Sequence, residues 1–600
     1  MTLLSIDTHL LRKPTHGAHY KNGKALFSLW APDAKEVTLQ FADGTLIPLE
    51  LYDDGWFSKI VACRPGAEYK FLINNDMAVP DPAAYAQSDD VHGWSKVIDH
   101  SAYQWKTHNW CGKPWYQTVI YELHVGLYGG FNGVKKQLPA LVDLGITAIE
   151  LMPIGEFVGE RNWGYDGVLP FAPESSYGTP EELKSLIDYA HQLGLMVFVD
   201  VVYNHFGPEG NYLGQYASGF FRDDIKTPWG NAIDFRRPQV QQYYIENALM
   251  WVRNYRVDGL RFDAVHAIND EAFLIRLAET LHKSVPLGRY LHLMLENENN
   301  SCHLLENGYI AQWNDDGHNV LHHLLTGEKE GYYSNFCDLP TTKLARFLRE
   351  GFIYQGDTCG YSQVRGEPSA HLSPLAFVLF LQNHDQVGNR AFGERLTQLA
   401  DPNNLKAAIT LMLLCPMVPM LFMGEELGLE QPFYYFTDHP DELAKAVCEG
   451  RRNEFSAFAA HQQTDKNLIP DPNDVATFTA SKPALSMLSE TQQEWRDFYR
   501  TLLRLRSLEI IPRLPGTFST EVVVLGPGAV SASWEMGDGS KLRIDLNLSE
   551  TSVAIKKPWD RSRVLFNQGV DSLSYMENFL PKHCALVTLN DGCNCLRKVG

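Results

Sequence analysis

Four short segments of this chain end in polar clusters whose residue types could carry acid–base and nucleophilic chemistry. VDVVYNH contains Asp200, Asn204 and His205; GLRFDAVH contains Arg261 and Asp263; LHLMLENENN contains Glu296; and FLQNHDQ contains Gln382, His384 and Asp385. Each cluster closes an apolar run. The period of two in an extended strand puts Asp200 with Asn204, and Arg261 with Asp263, on a common side. If the runs lie side by side, Asp263, Glu296 and Asp385 converge on one cavity. Closely spaced carboxylates suit glycosidic cleavage: one attacks the anomeric carbon, a second, kept protonated by its surroundings, gives a proton to the leaving oxygen, and a third holds sugar hydroxyls. Arg261 beside Asp263 is expected to keep that aspartate ionised, as a nucleophile must be.

Other uses of these residues stay open at this level. A single Asp at a strand end commonly caps a helix or pairs in a loop. His205, His384 and the carboxylates could also ligate zinc or magnesium, although no H-E-x-x-H pair or comparable spacing supports a metal, and none is assigned. Glu298, two residues beyond Glu296, is a competing acid; Glu296 is preferred because it ends the apolar run, whereas Glu298 already lies in the loop.

The elements that must position these groups read as eight apolar strands, TVIYELHV, TAIELMP, MVFVDVV, VDGLRFD, YLHLMLE, AQWND, AFVLFLQNHD and VPMLFMG. Helical patterns such as GVKKQLPALVDLG, PEELKSLIDYAHQLG and PQVQQYYIENALMWVRNYR lie between them. Eight alternations over about 300 residues predict a (β/α)8 TIM barrel with long loops, whose strand C-termini build the site. No strand leads into a G-x-G-x-x-G or phosphate-loop pattern, which argues against an open nucleotide-binding sheet and leaves no cofactor assigned. Residues 1–105 contain alternating runs (ALFSLWA, EVTLQF, WFSKIVA, EYKFLI) split by turns and predict an N-terminal β-sandwich, with VPDPAAYAQSDDVHGWS as a linker. Residues 106–512 hold the barrel, and 513–600 return to short strands that predict a C-terminal β-sandwich.

Composition limits the partners. With 52 Lys+Arg against 72 Asp+Glu, the net charge of −20 is unsuited to a nucleic-acid backbone or an anionic membrane. The 10 cysteines are too sparse for a disulfide scaffold, and only Cys593 and Cys595 lie close together. There is no apolar leader and no apolar run of about 18 residues, so a cytoplasmic protein with reduced thiols is expected.

Aromatic residues make up 12% of the chain, and some sit where sugars would be met. RNWGYDG supplies Trp163, Tyr165 and Asp166, and TPWGNAIDF supplies Trp229. Aromatic rings stack on the apolar faces of sugars while carboxylates and amides take hydroxyls; loop packing is the competing role for Trp163 and Tyr165. Phe433, Tyr434, Tyr435 and Phe436, with Arg451 and Arg452, fall in the 424–455 segment, which is read either as a helical lid over the site or as a patch packed on the barrel.

At VDVVYNH, GLRFDAVH, the run ending at Glu296, and QNHDQ, the chain resembles the α-amylase family of glycoside hydrolases. That resemblance implies a retaining mechanism with Asp263 as nucleophile, Glu296 as general acid/base and Asp385 as the acid that binds sugar hydroxyls. It places Tyr165, His205, Arg261 and His384 around the sugar at the cleavage point. Longer segments, including ELMPIGEFVGERNWGYDGVLPFAP, DGLRFDAVHAI, QWNDDGHN, FLQNHDQVGNRAFGERL and LFMGEELGLEQPFYYFTDH, are similar to a branch of that family. Its substrate is maltooligosyl trehalose, cut at the α-1,4 bond next to the terminal trehalose. The branch match implies substrate-binding roles for Trp163, Asp166, His266, Asp315, Asp316, His318 and Asn383, and a functional pairing with a maltooligosyl trehalose synthase. Two alternatives remain: a glycogen branching enzyme, similar at YELHVG and NWGYDG, and a non-catalytic glucan-binding protein on the same barrel.

Overall fold

The structure is a computed structural model and describes residues 14–359, 363–456, 468–485, 488–556 and 562–591. Cys593 and Cys595 lie outside the described residues.

Two antiparallel sheets form the N-terminal unit. One runs in the order Gly17–Lys21, Lys24–Trp30, Trp56–Ala62, Glu50–Leu51; the other runs Leu46–Pro48, Val37–Phe41, Glu68–Ile73, Met77–Val79, with Ser95–Lys96 added to Glu68–Ile73. Their inner faces meet where Phe27 packs against Tyr69, ring centroids 4.8 Å apart. The Pro- and Asp-rich stretch expected to be a linker is packed instead. Residues 79–87 are all buried. Asp81 accepts from the Tyr69 hydroxyl and the Ala83 amide, and the Tyr243 hydroxyl donates to the carbonyl of Pro82, so paired polar groups fill the seam between sandwich and barrel. Composition marked these residues as turn formers, but their hydrogen-bonding capacity is spent internally.

The barrel is closed and parallel. Its strands are Ile120–Leu123, Ala148–Leu151, Met196–Val201, Gly259–Phe262, His292–Leu295, Ala311–Trp313, Phe377–Leu379 and Val418–Phe422, and the first pairs with the eighth at Ile120 and Met420. All eight fall inside the runs read from the sequence. The predicted helices form as Phe131–Leu144, Pro180–Gln192 and Pro238–Arg253. The second starts on a capping box: the Thr179 side chain accepts from the Glu182 amide, Glu182 returns to the Thr179 amide, and Pro180 occupies the first turn, where its missing N–H costs nothing.

Alternation along the strands sorts the barrel into two cores. Ile120, Ala148, Met196, Phe198, Met294, Trp313, Val378 and Met420 cluster together inside it, while Tyr121, Ile149, Val197, Leu260 and Leu293 face the helices. The same period of two then puts Glu122, Glu150, Asp200 and Arg261 on the inner side, above that apolar plug. All four are buried.

The C-terminal unit is a five-stranded sheet in the order Phe518–Gly526, Ala529–Glu535, Lys541–Asn547, Cys584–Asn590, Arg563–Gln568, with a two-stranded ladder of Val553–Ala554 and Phe579–Leu580. It is tied to the barrel helices where the Gly528 amide donates to Thr341 and Asn404 donates to the Leu548 carbonyl.

Candidate active site

Arg261, fully buried on the fourth strand, organises the site. Its Nη1 donates to Oδ2 of Asp200 at 2.7 Å and to Oδ1 of Asp263 at 2.9 Å, and its Nη2 donates to Oε2 of Glu296 at 2.6 Å. Beneath it, the Trp313 ring lies 4.1 Å from the guanidinium carbon, an electrostatically favourable seat for a cation. One positive charge is therefore divided among three carboxylates. Burial, then the charge of Glu296, push the Asp263 carboxyl well above its usual range despite Arg261. Arg261 favours the ionised form of Asp263, but its guanidinium is shared among three acids.

Asp263 directly follows the fourth strand and is 8% exposed. Glu296 follows the fifth strand, and its side chain is 22% exposed. Its Oε2 also accepts from the Ala264 amide at 3.1 Å, whereas Oε1 has no partner among the described residues. Asp385 belongs to the short helix His384–Gly388, and its side chain is 37% exposed. Burial would raise its carboxyl, but His384, 3.3 Å away, and the Asn389 amide outweigh that and bring it below the usual range.

His384 is enclosed. Tyr165 stacks on it at 5.0 Å and 22°, Trp163 meets it edge-on at 5.4 Å, and its Nδ1 faces the Glu122 carboxylate. The Tyr165 hydroxyl donates to Asp200 at 2.6 Å. His205 pairs its Nε2 with the Tyr165 carbonyl and stacks against Trp229 at 4.5 Å and 11°; burial lowers its imidazole to about 4. Trp229 keeps 46% of its surface exposed.

The other expected residues divide into those at the cluster and those behind it. Asp315 is half-buried, and burial followed by the charge of Glu296 pushes its carboxyl up to about 8. Asp316 is buried and accepts from the amides of Ile353 and Tyr354 and from Asn300, so it pins a loop. His318 is buried and stacked on Phe380. Asn383 caps the helix bearing Asp385 through the Gln386 amide. Asp166 is held by Asn162 and by His439. Trp163 is 4% exposed, donates its indole N–H to the Tyr434 carbonyl and stacks on Phe433, so its ring packs the wall behind His384. His266 lies beside Glu298, whose side chain is 70% exposed. Phe433 and Phe436 are fully buried, which makes part of the 424–455 segment core packing, while Arg451 donates to the carbonyls of Gly388 and Arg390.

The site reading missed Glu122, Glu150 and Trp313. The signal was available: an acid inside an apolar run (VIYELHV, TAIELMP) with the parity that faces the barrel interior. For the zinc or magnesium reading, both ring nitrogens of His384 face carboxylates, and among the described residues no three His, Cys, Asp or Glu side chains are grouped to hold an ion.

Known proteins are similar to this chain in sequence and fold. The family profile of the alpha amylase catalytic domain matches residues 82–223, and a domain of unknown function matches 517–587. Malto-oligosyltrehalose trehalohydrolase of Saccharolobus solfataricus is 38% identical, covering 82% of this chain and 87% of its own length; that of Rhizobium sp. is 37% identical over 91% and 95%. This chain belongs to the malto-oligosyltrehalose trehalohydrolase family. It is a glycoside hydrolase of the α-amylase type. Other matches agree with that placement. A Salmonella typhimurium crystal structure, provisionally named an alpha amylase, superposes on this trehalohydrolase-family chain with a TM-score of 0.90 and 41% identity, covering 96% and 100% of the two chains. A 1,4-alpha-glucan branching enzyme of Pseudoalteromonas atlantica is 33% identical over only 40% of this chain and 37% of its own. A pullulanase of Anoxybacillus sp., 17% identical with a TM-score of 0.70 and covering 96% and 87%, shares the fold.

Proposed function

We propose that the chain hydrolyses maltooligosyl trehalose at the α-1,4 bond next to its terminal trehalose, with retention of configuration. The observation that carries this reading is the single guanidinium of Arg261 bonded to both Asp263 and Glu296, which keeps the two carboxylates as neighbours, as a retaining enzyme needs. In the first step a carboxylate oxygen of Asp263 bonds to the anomeric carbon while the C–O bond to trehalose breaks, and Glu296 gives its proton to the departing oxygen. In the second, Glu296 takes a proton from water, the hydroxide attacks the anomeric carbon, and the bond to Asp263 breaks. Asp385 and His384 take sugar hydroxyls opposite, and Trp229 offers a ring face.

Residues 1–105, 106–512 and 513–600 are the proposed domains, and the 424–455 segment, anchored by Arg451 to the helix that bears Asp385, closes one end of the cleft. No helix among the described residues is long and apolar enough to cross a membrane. A cytoplasmic location and a preceding synthase that builds the trehalose end belong to the same proposal.

The test is a product analysis. Maltooligosyl trehalose should yield free trehalose and the shortened maltooligosaccharide, much faster than the matching uncapped maltooligosaccharide is cut. New α-1,6 branches in amylose without trehalose would replace this reading with glycogen branching, and binding without turnover would leave a glucan-binding protein.

A further inference from the structure

Glu122 lies on the first barrel strand, in register with Glu150 on the second, and is buried. Its two oxygens each meet one donor from a single residue on another part of the barrel mouth. The backbone N–H of His384 donates to Oε2 at 3.1 Å, and Nδ1 of His384 lies 2.5 Å from Oε1. The remaining ring nitrogen, Nε2, lies 3.3 Å from Oδ2 of Asp385. With a carboxylate oxygen at each end, the ring is placed to donate from both nitrogens. Tyr165 covers one face of the ring and Trp163 stands edge-on, so the imidazole has one orientation.

We propose that Glu122 is a positioning residue for the hydrolysis: fixed on the first strand, its carboxylate locks His384 as a two-sided donor and thereby fixes the place of Asp385 at the sugar. This rests on the reading of Asp385 as the acid that binds sugar hydroxyls.

An amide cannot do the same. Gln offers one acceptor oxygen, and two donors arrive at Glu122. In E122Q either the backbone N–H of His384 loses its partner, or the ring turns its Nδ1 into an acceptor and becomes neutral. The charged and titratable groups around His384 among the described residues are Glu122 from the first strand, His124 just after it, Glu150 from the second, Tyr165 from the loop that follows, Asp200 from the third, Arg261 from the fourth and Asp385 on its own helix. Burial opposes a charged ring, but Asp385 and Glu122 overcome it and raise His384 well above the usual histidine range.

The experiment compares full-length wild type with E122Q by ring nitrogen-15 shifts, assigned through H384N, and by pH profiles of kcat and KM on maltooligosyl trehalose. In wild type both nitrogens should stay protonated at about pH 8, above the ordinary histidine range. In E122Q the ring should titrate lower by about one to three pH units, the effect of one close opposite charge. At about pH 8, kcat should fall roughly tenfold or more with KM within about threefold, and recover as the pH is lowered. A neutral His384 ring in wild type at about pH 7 overturns the inference, and so does an E122Q loss that is equal at every pH. If E122Q does not fold, the wild-type ring state decides. Asp385→Asn separates the two claims: an active D385N removes the reading of Asp385 itself, whereas an inactive D385N beside an E122Q with the wild-type profile removes only the role of Glu122.

Discussion

Arg261 and Glu296 meet across the fourth and fifth barrel strands, Nη2 to Oε2 at 2.6 Å, and the same guanidinium serves Asp200 and Asp263. Removing it leaves three carboxylates crowded without their cation. Arg261→Met should lower unfolding free energy by about 3–5 kcal/mol, the usual result of stripping one partner from a buried charge network, as read by chemical denaturation. Arg261→Lys should keep more of the stability and still lose most activity, because a compact ammonium lacks the planar fork that reaches Asp200, Asp263 and Glu296 at once.

Asp263→Asn should cut trehalose release by about four orders of magnitude or more while sugar binding, followed by calorimetry, persists. Glu298→Gln should stay within about threefold of wild type, since its 70% exposed side chain pairs, among the described residues, with His266. An E298Q as inactive as E296Q would mean that the proton donor is misassigned.

The wall behind His384 is packed to contact. A Cβ on Gly388 would come within 2.0 Å of the Trp163 ring. Gly388→Ala should therefore displace Trp163 and depress kcat, visible as a change in tryptophan fluorescence. Trp163→Ala should cost about 3–5 kcal/mol of stability as a large core ring is lost.

Stability should fall in mild acid for a stated reason. Burial lowers His16 and His124 from 6.5 to about 4, so both fold neutral while the unfolded chain binds protons first. The stability they contribute is present above about pH 6.5 and is lost as the pH drops through about 4, up to about 3 kcal/mol each. His16→Gln should flatten the decline of Tm between about pH 6.5 and 4; an unchanged slope would mean that His16 is charged in the fold.

Much of the architecture could be read directly. The eight barrel strands are apolar runs with turn-forming borders, and periodicity along a strand is a local property, so the inward parity of Asp200 and Arg261 followed from the sequence alone. What misled was composition without contact. The 79–95 stretch reads as linker because Pro, Asp and Ser form turns, yet its Asp81 and Pro82 are satisfied by Tyr69 and Tyr243 from elsewhere in the chain. Trp163, in a polar loop, reads either as a sugar platform or as a packing ring; Phe433, some 270 residues later, stacks on it.

By itself, then, the sequence determined the barrel, the end of it where the acids gather, and the family of reaction. It did so because strand period and residue type are written locally. The tertiary structure alone decided how charge is shared, giving one guanidinium to three carboxylates and one imidazole to Glu122 and Asp385. Those allotments depend on distances of a few ångströms between side chains from different strands, and Coulomb interaction in a buried site changes steeply over that range. No spacing along the chain encodes it.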